Sequence, residues 1–323
     1  MTAPDPSLTA IAVDLGATNM RAGLVQQDGK ILTLVTAPTP LHPANPDVIV
    51  RALESLIVRA ASPTAISSVA GIGISSAGPV DLQMGAVVNP PNIPLPLIPL
   101  VKPLGERFGL PIRFMNDCHA GALGEAAFGG GRGVLNFVYL TISTGIGAGV
   151  YEQGRLLFGE DGNFAEVGHF VVETTWNLPC GCGGAGHWEG CGSGRFIPSF
   201  FLEWCRSMNR RSPFRTTPDT ATIFAAAAGG DPVAEEFMSV LGKVEARGIS
   251  LLIAAYDPRV IIIDGSVARK NWKTFEACVL PHVRSVSGKT PHVCVSPLGG
   301  NSPLLGAAWC VCAEQKTPQK FLG

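Results

Sequence analysis

Charge is scarce in this sequence. Asp, Glu, Lys and Arg supply 15% of its 323 residues, and the formal net charge is −1. With no excess of either sign, nothing marks a surface for nucleic acid or an anionic membrane. Long apolar runs are missing too. No stretch reaches the roughly 18 uncharged apolar residues that a spanning helix needs. The opening MTAPDPSLTAIAVD has no basic cluster leading into an apolar segment, so no export signal is expected and the cytoplasm is the expected compartment. Cysteine is present but odd in number, at nine. Cys118, Cys205, Cys278, Cys310 and Cys312 stand in helix-like or apolar surroundings and are expected as buried thiols rather than a disulfide framework.

What is abundant is small and apolar. Apolar residues make up 46%, with 39 glycines and 26 prolines. That composition belongs to a globular chain with many tight turns, and its length allows two domains with a sizeable core.

Strand-like and helix-like segments alternate, which is the pattern of an α/β protein. IAVDLG (11–16) reads as a buried strand ending at Asp14 and Gly16. MRAGLVQ and ILTLVTA flank a QDGK turn. Residues 47–61 carry apolar positions at helical spacing. VAGIGIS and PIRFMND read as strands, and CHAGALGEAAFG opens a helix. The proline-rich NPPNIPLPLIPLVKP (89–103) is expected to form no regular element. NFVYLTISTGIGAGVYEQG reads as two strands about a glycine-rich turn. Helical patterns follow near 195–207, 221–228 and 231–257. RVIIIDGSVA is a further buried strand, and the chain closes on a helix. AVDLGATN and LTISTGIGAG echo each other: each is a buried strand, a polar tip and glycine-spaced hydroxyls. Two related halves around one ligand would produce that echo.

Several turns suit phosphate. After the first strand, Gly16 and Thr18 can present N–H groups and a hydroxyl to phosphate oxygens, and Asp14 can hold Mg²⁺ through water. DLGATN matches neither GxGxxG nor GxxxxGK[ST], so neither of those phosphate motifs explains it. Thr141, Ser143, Thr144, Gly145, Gly147 and Gly149 suit a second phosphate grip. DGSVA (264–268) would let a flat ring lie on backbone. Asn116–Asp117 ends a strand and opens a helix; the carboxylate there is either a helix cap or an aimed base for a hydroxyl proton.

The soft donors cluster between 169 and 191. Cys180, Cys182 and His187 stand among glycines that permit tight wrapping, with His169 and Cys191 both available to complete four zinc ligands. The spacing is not that of a zinc finger. Glu166 and His169 are three apart and share a face if that segment turns helically.

The ordered series DLGATNMR, GISSAGPVD, NPPNIP, NDCHAGALGE, TISTGIGAGV, EVGH, CGCGGAGHWE and DGSVA, spanning residues 11 to about 309, resembles the ROK family of sugar kinases and repressors. That resemblance implies a two-domain actin-like ATPase (sugar-kinase, ribonuclease H-like) fold with an interdomain active-site cleft. It implies a small N-terminal domain of residues 1–116 plus 302–323 and a larger one of 117–301 carrying the zinc loop. ATP would be held by Asp14, Gly16, Ala17, Thr18, Asn19, Thr144, Gly145, Gly147, Gly265 and Ser266. Asp117 would be the catalytic base. Gly78, Asn92, Asn116, Asp117, Glu166, His169 and Glu189 would meet the sugar, and His169, Cys180, Cys182 and His187 the structural Zn²⁺.

The implied activity is ATP- and Mg²⁺-dependent phosphorylation of a hexose, glucose at O6 first, with an N-acetylmannosamine, N-acetylglucosamine or broad hexose kinase as the alternative. A homodimer is implied as well. A sugar-sensing repressor is the other class. Only ten residues precede Ile11, so no DNA-reading segment is expected. Three departures stand out. His187 replaces a third cysteine, DGSVA has one glycine where two are usual, and Cys118–His119 replace small or amide residues beside the base.

Overall fold

The computed structural model describes residues 8–41, 45–62 and 64–314. In chain order it begins with β1 (Thr9–Leu15), β2 (Asn19–Gln26) and β3 (Ile31–Pro38), then α1 (Pro46–Ala61), β4 (Ile72–Ser76), β5 (Val80–Asp81), β6 (Ala86–Val88), β7 (Leu97–Pro99), α2 (Val101–Phe108), β8 (Ile112–Asn116) and α3 (Asp117–Phe128). It continues with β9 (Phe137–Ile142), β10 (Ile146–Glu152), β11 (Arg155–Leu156), α4 (Trp188–Gly192), α5 (Ile197–Ser207), α6 (Thr220–Ala228) and α7 (Pro232–Tyr256). β12 (Val260–Asp264), α8 (Ser266–Lys270), α9 (Trp272–Val279), β13 (His292–Val295) and α10 (Ser302–Glu314) complete the chain. No helix among the described residues is long and apolar enough to cross a membrane.

Two five-stranded sheets have one and the same order. The first runs β3-β2-β1-β4-β8 and the second β11-β10-β9-β12-β13. In both, three sequential strands lie side by side and a later strand joins the first of them in parallel. DLGATN sits between β1 and β2, and STG (143–145) sits between β9 and β10, so the two motifs occupy equivalent turns. The echo in the sequence is thus a duplicated topology.

The chain divides into two compact units. One comprises residues 1–135, 149–164 and 301–323, the other 136–148 and 165–300. The division expected at 116/117 differs from this because α3 stays with the first unit, packed against α10. Ser302 donates to Glu125 Oε1 at 2.7 Å, and a Cβ on Gly306 would run into the Ala120 carbonyl. The helices touch backbone to backbone there, so only glycine fits. In the same unit Ile11, Val13, Leu15, Ile72 and Ile74 bury against Ile49, Leu53, Leu56 and Ile57 of α1. That helix starts as its residues dictate. Asn45 Oδ1 accepts from Asp47 N at 2.9 Å, and Pro46 follows at a position where its missing N–H costs nothing.

The proline-rich stretch holds more order than its composition suggested. β7 and the first turn of α2 lie within it, with Pro99 at the end of a strand and Pro103 in the first turn of a helix, two places that need no N–H from proline. None of the nine cysteines is in a disulfide. Cys118, Cys205 and Cys312 are buried as expected, while Cys278 and Cys310 keep partial exposure. The second unit is built on aromatic packing. Phe237 of α7 stands edge-on to Phe200 and Phe201 of α5, with ring centroids 5.2 and 5.1 Å away.

Gly306→Val should lower stability by about 3 kcal/mol or more, because the added methyls must separate α3 from α10. Denaturant unfolding checks this, and an unchanged midpoint would refute the backbone contact.

Candidate active site

In the first unit, β8 runs directly into α3. Asn116 ends the strand and takes the cap position, its Oδ1 accepting from Cys118 N at 2.8 Å. Asp117 is therefore the first helical residue, and the cap role that its position also suggested falls to Asn116. The Cys118 thiol donates to Asp117 Oδ1 at 3.4 Å. Gly78 follows β4, and the position of a Cβ there would stand 2.8 Å from Asn116 Nδ2, so Gly78 and Asn116 are neighbours. Asn92 lies in the turn between β6 and β7.

His119 is buried, 1% exposed, with Nε2 3.2 Å from the Phe164 carbonyl and its ring edge-on to Phe158. Burial lowers its pKa to about 4, against the raising effect of that carbonyl, so the ring is neutral and donates from Nε2.

The DLGATN turn is tied by its own backbone. Gly16 N donates to Asn19 O at 3.0 Å, and the Thr39 hydroxyl closes on Gly16 O at 2.7 Å. Ala17 lies within this turn, and Thr18 and Asn19 are exposed. Asp14 is held from two sides. Arg21 Nε donates to its Oδ2 at 3.0 Å, and the Ser75 hydroxyl to its Oδ1 at 2.9 Å.

In the second unit, Thr144 and Gly145 lie in the β9–β10 turn and Gly147 is the second residue of β10. Gly265 and Ser266 sit at the β12–α8 junction, and the Ser143 and Ser266 hydroxyls are 3.1 Å apart, which links the two turns. Glu189 Oε2 accepts from Ile146 N at 3.0 Å, and a Cβ on Gly145 would lie 2.5 Å from that oxygen. Only glycine lets the carboxylate lie so close to the turn.

Glu166 immediately precedes the 3-10 turn Val167–His169, and its Oε2 is 3.8 Å from His169 Nε2. The surrounding protein desolvates Glu166 enough to raise its carboxyl pKa although 46% of the side chain is exposed. His169 pulls the other way, and the Glu189 charge adds to the rise. Glu166, His169 and Glu189 are thus one electrostatic cluster.

The same imidazole has a second face. His169 Nδ1 is 3.8 Å from Cys180 Sγ, and His187 Nδ1 is 3.2 Å from Cys182 Sγ. One ligand atom from each of His169, Cys180, Cys182 and His187 falls within 4.8 Å of all the others. Ligands on a tetrahedral zinc, at about 2.3 Å for sulfur and 2.0–2.1 Å for nitrogen, stand roughly 3.3–3.8 Å apart. The donor chemistry suits that ion, and the two cysteine–histidine contacts at 3.8 and 3.2 Å are close to that spacing, whereas the 4.8 Å limit of the whole group is wider than a closed tetrahedron needs. Cys191 is fully buried and lies outside the group.

Sequence reasoning did not find Arg21, Ser75, Trp188 or Glu245. Arg21 is a lone cation among the apolar residues of β2, which is a legible signal. The others needed a fold. Trp188 and Glu245 are both buried, and the indole Nε1 donates to Glu245 Oε2 at 2.7 Å. Burial raises the Glu245 pKa from 4.5 to about 8, partly offset by that hydrogen bond. The folded protein therefore holds a proton that the unfolded chain releases near 4.5. The associated stability is complete below that pH and is lost as pH rises through about 8. Unfolding midpoints should accordingly fall relative to a Glu245→Gln variant between about pH 5 and pH 8. A pH-independent difference would contradict a buried protonated carboxyl.

The ROK family model matches residues 10–314. A glucokinase of Pyrobaculum calidifontis is 34% identical over 313 residues, covering 96% of this chain and 97% of that protein. A glucokinase of Thermotoga maritima is 35% identical over 312 residues, covering 94% and 97%. A ROK family glucokinase from Streptomyces griseus, solved with glucose and AMPPNP, superposes with a TM-score of 0.76 at 30% identity, covering 93% of this chain and 98% of that one. Such likeness brings with it the actin-like ATPase fold, to which the duplicated sheet order conforms. From its first strand to its last helix, this chain belongs to the ROK family.

Proposed function

We propose that this protein is an ATP-dependent hexose kinase that phosphorylates glucose at O6, with Asp117 as the general base. The observation that carries this reading is the cluster of Glu166, His169 and Glu189, two carboxylates and an imidazole gathered at one place. Such a group accepts and donates hydrogen bonds to several ring hydroxyls at once. It discriminates sharply, since an analogue lacking a hydroxyl leaves polar groups unpaired. The named glucokinase relatives, and the glucose and AMPPNP bound by the Streptomyces griseus protein, support glucose and ATP as the substrate pair.

In this reading the chain performs no covalent chemistry of its own. Phosphoryl transfer through a loose transition state needs positioning and charge stabilisation. The backbone N–H groups and hydroxyls of the turns at Gly16–Asn19 and Thr144–Gly147, with Gly265 and Ser266, hold the nucleotide. Asn116, Gly78 and Asn92 orient the sugar, and Asp117 accepts the proton of O6 as that oxygen attacks the γ-phosphorus. Asp14 would hold Mg²⁺ through water from Oδ1, which keeps a lone pair beyond the one given to Ser75, while Oδ2 accepts from both Nε and Nη2 of Arg21. That ion supplies charge neutralisation on the phosphates. His169, Cys180, Cys182 and His187 would hold a structural Zn²⁺ that closes the loop between Glu166 and Glu189. The same reading takes the protein as a cytoplasmic homodimer that delivers sugar phosphate to glycolysis.

Asp117→Ala should cut kcat for glucose phosphorylation by roughly a thousandfold and leave sugar binding nearly unchanged. A coupled assay beside calorimetric titration of glucose checks it, and an undiminished kcat removes Asp117 from the mechanism. Elemental analysis should find about one zinc per chain. Cys182→Ser should lose the ion and lower the thermal midpoint; a metal-free, fully stable wild type would sink the zinc assignment.

A further inference from the structure

Trp188 connects the two acidic groups that the second unit hides and uses. It stands between His187 and Glu189 at the start of α4, and its side chain is 0% exposed. Three contacts hold it. Its backbone N–H donates to Phe170 O at 2.8 Å, and its indole N–H donates to Glu245 Oε2 at 2.7 Å. Its ring lies flat enough on α7 that a Cβ on Gly248 would collide with it. Glu245 also touches α4 at its other end, where a Cβ on Gly192 would stand 2.5 Å from Oε1. Glu245 therefore meets both the first and last residues of this short helix. The next residue after Trp188 is Glu189, whose Oε2 accepts from Ile146 N at 3.0 Å. A helix of five residues has little internal hydrogen bonding to fix its own rotation. Outside contacts must fix it, and Glu245 supplies one at each end.

We infer that Glu245 is a positioning residue for sugar recognition: by accepting the Trp188 indole N–H it sets the rotation of α4 and so the place of the Glu189 carboxylate. The inference rests on the hexose-kinase reading for its kinetic consequence. Its structural half stands on the contacts alone. Breaking the bond leaves a buried indole donor unpaired and lets α4 turn about its axis, so Glu189 loses its register with the ring hydroxyls. The Thr144–Gly147 turn would lose the Glu189 acceptor at Ile146 N but keeps its Ser143–Gly145 backbone bond and the Ser143–Ser266 contact, so nucleotide affinity should fall less than sugar affinity.

Glu245→Leu and Trp188→Phe each remove the bond while keeping apolar volume, and Glu245→Gln retains an acceptor. The expected result is a rise of roughly tenfold in KM for glucose in Glu245→Leu and Trp188→Phe, with KM for ATP within about twofold of wild type. Glu245→Gln should restore the wild-type KM for glucose. Equal rises in both KM values, unchanged KM values, or a Glu245→Gln variant as impaired as Glu245→Leu would overturn the inference. If Glu245→Leu does not fold, Trp188→Phe decides by the same criteria. Amide hydrogen exchange separates this idea from the kinase reading. Segment 185–193 should exchange at least about tenfold faster in Trp188→Phe while α1 keeps its protection, and unchanged exchange there overturns the positioning role. A wild-type protein that phosphorylates no hexose would refute the kinase reading and leave the exchange result to decide this one.

Discussion

A carboxylate spent on capping its own helix has less freedom to meet a ligand, and at the junction of β8 and α3 the neighbouring asparagine takes the cap instead. Asn116 takes the cap, so Asp117 enters the helix with its side chain directed by the first turn. The junction stays in place because α3 is clamped along its length by α10. Glu125 receives Ser302, and the helices meet through glycines whose missing side chains allow backbone contact. His119, neutral and buried, adds a hydrogen bond to Phe164 two residues after Asp117. The position of one oxygen pair thus depends on a helix that begins nearly two hundred residues later in the chain.

The second unit answers a different problem, which is how to collect like charges. Glu166 and Glu189 repel, and partial desolvation makes that worse, as the raised carboxyl pKa of Glu166 records. His169 offsets part of the cost from one ring face, and the Ile146 amide offsets part from the other side of Glu189. The cysteine–histidine group lies on the opposite nitrogen of the same imidazole. His169 therefore belongs to both constellations, with one ring nitrogen toward each. A histidine in place of a third cysteine at 187 leaves the donor set chemically complete.

Much of this was legible in local residue order. Strand tips at Asp14 and Asn116, the turn at Thr144–Gly147 and the soft donors from His169 to His187 each declare themselves within a few residues, because turn chemistry and ligand spacing are short-range properties. The repeated strand–turn pattern also told correctly of two equivalent sheets. The proline-rich stretch misled on regularity: proline is tolerated at the end of β7 and in the first turn of α2, and composition does not show where such permitted places fall. The domain edge at 116/117 failed to anticipate that α3 would stay with α10, since helix-on-helix contact is decided by faces that lie far apart in the chain.

By itself, then, the sequence determined which turns carry glycine and hydroxyl, which residues can ligate, and that Glu166, His169 and Glu189 flank one loop. Tertiary structure alone decided that Cys191 stays out of the ligand group, that Asp14 is shared by Arg21 and Ser75, and that Trp188 finds Glu245 fifty-seven positions away. The reason is physical. Backbone turns and caps are closed by neighbours within a few residues, whereas a buried donor or charge is satisfied by whatever group packing brings to it, and that partner has no fixed spacing to read.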